Sequence, residues 1–446
     1  MIIFCLLFGI VASFLLIEKK TAIKNRILKC LLAFYFTIAM LSFIFTISLF
    51  LKINFILFQA FFLLIPLVYI ISEFRNTKKL SFSSVNISNI STPLLVVVLI
   101  SLSVFSYKFF DISVRWGDWD AWAIWSQHAK FLANGPSFEN LFTVDIAWTH
   151  PDYPLMLPSI IAIFWKSLGY CSAYVPAVFA YLIALSLVLT ILSSFLEKRF
   201  EVFGISVFLI MTCSSVLFPF ASSQQADTIF AAFILVPMVL LNHLPNDKSV
   251  FHLLLIGFFT ASCGWIKNEG LVYFVLFAFC FSVKYFRKKN FVKYFFAGAS
   301  FPLLVIFVFK FNFAPSSDLI NGSSEYMSKI FDFSRYNLIY DFASNYIVEN
   351  CQLLMYSMIA ILVINYKFYS SFTFVVIFGL LTAYFFAYVT TPNDLIWHLT
   401  TSLYRLVHQV FPVLLYSIFF SASEKWPIES FVPFKLKRPS LRIRKD

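Results

Sequence analysis

"PLMLPSIIAIFWKSLG", residues 154–169, is the stretch on which the topology of this 446-residue chain turns. It is apolar, yet short for a helix that must cross a hydrocarbon core of roughly 30 Å, which takes about 20 residues. It also holds two prolines, Pro154 and Pro158, which break helical hydrogen bonding. The rest of the chain leaves no doubt about class. It is 60% hydrophobic and 20% aromatic, with only 13% charged residues and a mean hydropathy of +0.84. Such a composition predicts a polytopic α-helical membrane protein, in which each span satisfies its own backbone hydrogen bonds.

Working outward from 154–169, the other apolar runs predict spans at 2–17, 27–51, 53–72, 93–110, 173–195, 202–218, 226–243, 251–266, 270–286, 293–313, 346–365, 369–389 and 403–421. If 154–169 also spans, "EKRFE" (197–201) faces outward and every later loop changes sides. If it is re-entrant or lies along the interface, the basic segments all share the cytoplasmic side, as the positive-inside rule requires. Those segments are "EKKTAIKNRILK" (18–29), "EFRNTKK" (73–79), "RKKNFVK" (287–293) and the tail with Lys425, Lys435, Lys437, Arg438, Arg442, Arg444 and Lys445. The expectation is an all-α bundle of about thirteen spans, N-terminus outside and C-terminus inside, with 154–169 not crossing.

No hydrophilic segment is long enough to fold alone, so one integrated bundle is expected. Its parts are N-terminal transmembrane helices (1–92), a main transmembrane domain with outer loops (93–421) and a basic cytoplasmic tail (422–446). The first apolar run is followed by its basic residues, which suits a retained span rather than a signal peptide. A net charge of +12 does not indicate nucleic-acid binding here, because the basic residues sit in short loops and the tail. The seven cysteines show no paired ligand spacing and read as small buried hydrophobes.

The expected topology sends most of the unusual polar residues to the non-cytoplasmic face: segments 111–153, 222–227, 265–270, 314–345 and 390–405. In "RWGDWDAWAIWSQHAKFL" (115–132), Trp122, Trp125, Ala129 and Leu132 have helical spacing, which predicts a helix lying in the interface. Asp118 and Asp120 open it, where a helix N-terminus favours carboxylates. The competing reading is an aromatic belt with two capping aspartates. In "WTHPDYPLMLP" (148–158), His150 could donate to a phosphate or tune a carboxylate; a lone histidine more often serves structure. "GWIKNEG" (264–270) places Lys267 and Glu269 between two apolar runs, where charge is costly unless paired or functional. Asp227 in "SSQQADTIF" opens a span in the same way or acts as a helix cap. "PNDLIWHLTTSLYRL" (392–406) holds His398 and Arg405, and Arg405 can present a bidentate fork to phosphate or merely snorkel.

Four of these motifs, "GDWDAWAIWSQHAKFL", "HPDYPLMLP", "WIKNEG" and "WHLTTSLYRL", in this order, resemble the bacterial GT-C membrane glycosyltransferases related to protein mannosyltransferases and lipid A aminoarabinose transferase. The resemblance runs from about residue 93 to 421. It implies a polyprenyl-phosphate-sugar donor drawn from the membrane, a lipid, glycan or protein acceptor, and membrane lipids as surroundings. It places the protein in a bacterial inner membrane with its active site facing outward. The family's signature acid falls on Asp118 or Asp120, with the "WDAW" context favouring Asp120, and its His-Pro-Pro element is similar to "HPDYP", which carries over His150. Asp152 replaces the second proline, and three spans precede the acidic loop where many relatives have one.

The expected reaction is inverting transfer to a hydroxyl. Asp120 serves as base and Asp118 as helper, while Lys267 and Arg405 receive the leaving phosphate with His150 or His398. Trp122 and Trp125 offer an aromatic surface to sugar or isoprenoid, and Asp227 and Glu269 complete the binding set. Asp118 and Asp120, with Asp227 or Glu269, could supply oxygen ligands to Mg²⁺ or Mn²⁺, although nothing in the spacing demands a metal. Rival readings are a flippase or transporter for a lipid-linked glycan, an O-antigen-type ligase or polymerase, and a membrane scaffold. "NGSS" (321–324) is a glycosylation sequon on the expected outer face, and so short a pattern is best read as a chance match.

Overall fold

The computed structural model describes residues 1–76, 92–213, 217–245, 250–316, 326–365, 368 and 370–426. The sequon at 321–324, the basic residues 78 and 79, and most of the basic tail lie outside the described residues. Among the described residues the protein is helical throughout, without strands. The order is α1 (Ile2–Lys20), α2 (Arg26–Phe50), α3 (Phe55–Asn76), α4 (Thr92–Ile112), α5 (Gln127–Ala133), α6 (Met156–Leu168), α7 (Tyr174–Glu197), α8 (Glu201–Cys213), α9 (Leu217–Ser222), α10 (Ala226–Asn242), α11 (Val250–Ser262), α12 (Glu269–Lys284), α13 (Lys289–Asn312), α14 (Tyr326–Ile330), α15 (Phe333–Asn350), α16 (Gln352–Ile364), α17 (Phe372–Thr390) and α18 (Leu395–Lys425). Eight of these, α1 to α4, α7, α13, α17 and α18, are long and apolar enough to cross a membrane. The remaining expected spans fall on shorter helices.

Several expected boundaries move. The run 346–365 is broken at Cys351, because "FSRYNLIYDFASNYIVEN" forms the polar helix α15 and the apolar run begins only at Gln352. The run 202–218 yields α8, which ends at Cys213. The last span starts not at 403 but at Leu395: the Asp394 carboxylate caps it by accepting from the Trp397 amide at 2.8 Å, and the helix continues for 31 residues. Most of segment 390–405, expected as loop, is therefore helix.

At the centre stands α10, buried from Ala226 to Leu241 on every side. A helix apolar all round needs neighbours all round, and α7, α11 and α18 supply them. Close approach is also built into α11, where a Cβ on Gly257 would lie 1.9 Å from the Phe295 carbonyl of α13.

The two ends of the bundle differ in chemistry. At one end the basic loops meet carboxylates: Lys19 pairs with Glu73 at 3.1 Å, Lys29 with Glu18 at 2.5 Å, and Glu197 accepts from the Lys24 and Asn25 amides ahead of α2. At the other end of α10 gather Asp120, Asp152, Asp227, Lys267 and Arg405. Helix α6 belongs wholly to this second end. Its Ser159 hydroxyl meets Thr46, near the C-terminus of α2, at 2.9 Å, and its Ser167 hydroxyl accepts from Gln59, near the N-terminus of α3, at 3.1 Å. The short turn at 51–54 joins those two helix ends, so both ends of α6 sit beside one loop. With 13 residues, or roughly 20 Å at 1.5 Å per residue, α6 is one of the shorter apolar helices, and it is packed inside the protein with most of its residues buried.

This placement predicts that cysteines at the exposed positions Val144 and Tyr170, on either side of α6, react with an impermeant thiol reagent from the same side of the membrane. The measurement is made with exposed Cys30, Cys171 and Cys213 replaced by serine. Labelling from opposite sides would mean that α6 crosses.

Candidate functional site

Asp227 lies in the first turn of α10 with its side chain 1% exposed. Removing a carboxylate from water costs several kcal/mol, on the order of the penalty for a buried ion, unless donors surround it. Here they do. Its Oδ1 accepts from Lys267 Nζ at 2.9 Å and from Gln409 Nε2 at 2.5 Å, and its Oδ2 accepts from Arg405 Nε at 3.2 Å. Lys267, itself 5% exposed, also pairs with Glu269 at 3.3 Å across the tight turn between α11 and α12. Arg405 reaches the other way and pairs through Nη1 with Asp120 Oδ2 at 2.5 Å. Asp120, Arg405, Asp227, Lys267 and Glu269 thus form one continuous chain of ion pairs, drawn from four sequence-distant segments.

Arg405 was expected at the mouth of a span. It lies instead near the third turn of α18, which brings it level with the start of α10. Gln409 follows four residues later on the same helical face, and that i, i+4 relation within an apolar run was its sequence signal.

The loop carrying Asp118 and Asp120 is fixed by backbone contacts to the turn before α10. The Asp118 amide donates to the Ser223 carbonyl at 3.1 Å, and Gln224 Nε2 donates to the Val114 carbonyl at 2.7 Å. Gly117 takes φ +72°, and a Cβ there would stand 2.4 Å from the Ser223 carbonyl, so no side chain fits. Asp118 is exposed and its carboxylate has no hydrogen-bond partner among the described residues. Desolvation and the neighbouring Asp120 charge raise its pKa above the usual aspartate value, against a lowering by Arg405.

The aromatic expectations need correction. Residues 121–126 form a π-helix, whose i→i+5 bonding alters the angular spacing of its side chains. Trp122 consequently turns outward while Trp125, Ala129 and Leu132 are buried. The segment packs into the protein along much of its length: Ala121, Ala123, Ile124 and Ser126 are buried as well. Trp125 packs on Tyr153, with ring centroids 5.7 Å apart, and offers no open surface. Trp122 instead joins the exposed indoles of Trp119 and Trp148, with Trp119 6.1 and 6.2 Å from its two partners.

His150 adopts a left-handed backbone with φ +53° and stacks on Tyr153 at 4.8 Å, one ring removed from the ion-pair chain. His398 bonds Thr391 through Nδ1 at 2.9 Å and sits edge-on to Tyr388, near Arg405 without joining it. Asp152, Asn268 and Lys310 form an adjoining knot. Asn268 donates to Asp152 at 2.9 Å, and Lys310 donates to the Asn268 side chain at 2.7 Å and to the Asp152 carbonyl.

The donor set does not suit the divalent metal expected as an option. Asp120 and Asp227 are both held by Arg405, and among the described residues no three metal-ligating side chains come together. A cavity of about 340 Å³ is lined by aromatic and apolar residues, among them Phe220, Phe342, Tyr346 and Tyr404, with the polar Asn350 and Thr400; none of the five ion-paired residues lines it, and Tyr404, next to Arg405 in sequence, links the two. Tyr404 stacks on Phe220 at 5.1 Å and stands within the fields of Asp118, Asp120 and Asp227. No family model, curated protein or solved structure matches this chain.

Removing the Asp227 carboxylate leaves Lys267 and Arg405 buried without their common partner. Asp227→Ala is therefore expected to destabilise the protein by about 3–5 kcal/mol, and Asp120→Ala by less, because Arg405 keeps its Asp227 partner when Asp120 is removed. Thermal unfolding of the detergent-purified variants compares the two, and equal losses would place Asp227 outside the role of anchor.

Proposed function

We propose that the protein is a membrane glycosyltransferase that moves a sugar from a polyprenyl-phosphate donor to a hydroxyl acceptor, at the end of the bundle opposite the basic loops. The observation that carries this reading is the ion-pair chain from Asp120 to Glu269, with a largely aromatic cavity whose wall includes Tyr404, the neighbour of Arg405. Carboxylates, a forked cation and an apolar, aromatic-lined recess are what such a donor and acceptor require. The reading keeps about thirteen crossings, with the shorter helices α8, α10, α11, α12 and α16 completing the count beside the eight long ones. It also keeps a bacterial inner-membrane setting with the site outward.

The chemistry follows from the residues. The acceptor hydroxyl gives its proton to a carboxylate while its oxygen attacks the anomeric carbon from the face opposite the phosphate. The bond from that carbon to the phosphate oxygen breaks, and polyprenyl phosphate leaves with the electron pair, inverting the anomeric centre. Asp118 is the better base. It is exposed and unbonded, and its proton affinity is raised, whereas Asp120 is engaged by Arg405. Arg405 is the cation best placed for the leaving phosphate, because Lys267 is enclosed between Asp227 and Glu269. Positioning and charge stabilisation supply most of the acceleration.

One observation favours a second reading, a transporter for a lipid-linked glycan. Arg405 lies well inside a 31-residue helix rather than at its end, and transporters hold charge at such depth.

Sugar transfer by the purified protein in detergent, with a polyprenyl-phosphate sugar, separates the two. Asp118→Asn is expected to lower turnover by about 10²–10⁴-fold. Transport without covalent transfer would establish the second reading. The acid limb carries a sign. Asp118 must be ionised to act, so activity falls as pH drops through its raised pKa. Asp120→Asn removes the like charge and leaves Arg405 nearer to Asp118 alone, so the limb moves to lower pH. A limb that stays fixed or moves upward would exclude Asp118 as the base.

A further inference from the structure

We propose that Asp120 occupies the seat of an anionic ligand on Arg405, and that a phosphate group entering the site takes this seat and releases the carboxylate beside Asp118. The inference rests on the glycosyltransferase reading for the identity of the anion. The geometry comes from the two unlike halves of the Arg405 contact.

On the inner half, Asp227 is 1% exposed and is held by two donors besides Arg405. It has nowhere better to go. On the outer half, Asp120 is 17% exposed and is held by one ion pair, with no second donor to its carboxylate among the described residues. The outer half is the one that opens. Arg405 also has Nη2 without a hydrogen bond among the described residues. Once Asp120 leaves, Nη1 and Nη2 together present the edge of a guanidinium fork, whose spacing matches two phosphate oxygens.

Charge makes displacement necessary rather than optional. Asp118, Asp120, Asp227 and Glu269 stand against Lys267 and Arg405, so carboxylates exceed cations by two. A phosphate added to the closed arrangement meets net repulsion. Exchange for Asp120 gives the phosphate the one cation with a reachable edge.

The exchange has a consequence for the base. Asp120 freed from Arg405 carries an unneutralised charge next to Asp118, while Arg405, now engaged by phosphate, lowers the Asp118 proton affinity less than before. Asp118 becomes a stronger proton acceptor when the donor phosphate is in place, and a weaker one when it is absent. Asp120 is in this account a positioning residue, acting through Arg405 and Asp118.

The test is binding of farnesyl phosphate, a short isoprenyl phosphate, to the full-length protein in detergent, followed by titration calorimetry. Asp120→Asn and Asp120→Ala are expected to bind at least about tenfold more tightly than wild type, and Arg405→Lys to bind more weakly than either. Asp118→Asn removes the same charge without vacating the seat, and its affinity is expected to change by less than about threefold. Tightening by Asp118→Asn equal to that of Asp120→Asn would reduce the effect to net charge and overturn the exchange. Wild-type binding that Arg405→Lys abolishes, but that neither Asp120 variant improves, would overturn the exchange and leave the donor reading standing. Absence of binding to wild type and to both Asp120 variants, each melting as a folded protein, would overturn the donor reading itself.

Discussion

A carboxylate buried at the N-terminal turn of a fully enclosed helix is the constraint on which the rest of this structure depends. Asp227 cannot be solvated, so three donors must come to it. Lys267 comes from the turn before α12, and Arg405 and Gln409 come from α18. Each donor fixes the axial position of its own helix against α10. Apolar packing alone sets such register poorly, because one leucine-like surface resembles another in a lipid-solvated bundle. A buried polar network is high-stakes for the same reason: fully bonded, it specifies one arrangement.

The outer loop then acquires its place by reference to the same anchor. The turn before α10 receives the Asp118 amide and the Val114 carbonyl, and Gly117 has no room for a side chain against Ser223. These contacts deliver Asp120 to the second face of Arg405. Helix α6 packs beneath this loop, with Trp165 edge-on to Trp116.

How much of this was legible follows from what membranes penalise. Charged residues near apolar runs are costly, and for that reason Asp120, Asp227, Lys267, Glu269 and Arg405 stood out in the sequence; the structure joins all five. What could not be read was depth and pairing. Hydropathy locates apolar runs but not helix starts, so the polar first turns of α18 read as loop, although Asp394 carries a cap signal. Arg405 was therefore placed too far out. Gln409 was missed because a single amide in an apolar run carries little weight until its partner is known. The tryptophans were misassigned because helical spacing assumes α geometry, and the π-helix at 121–126 sends Trp122 and Trp125 to opposite environments.

The same ledger of charge shapes the chemistry available. A site designed only to hold phosphate would show more cations than acids. This one shows the reverse, with the acids arranged in depth: Asp227 immobile, Asp120 on the shared guanidinium, Asp118 open. Among the described residues, Arg405 is the group that pairs with both Asp227 and Asp120. Any anion that competes for it must act on the open acid as well, because the three carboxylates share one guanidinium field. On the proposed exchange, binding and proton acceptance are linked by electrostatics alone, with Asp227 holding the inner half of Arg405 while Asp120 yields the outer half.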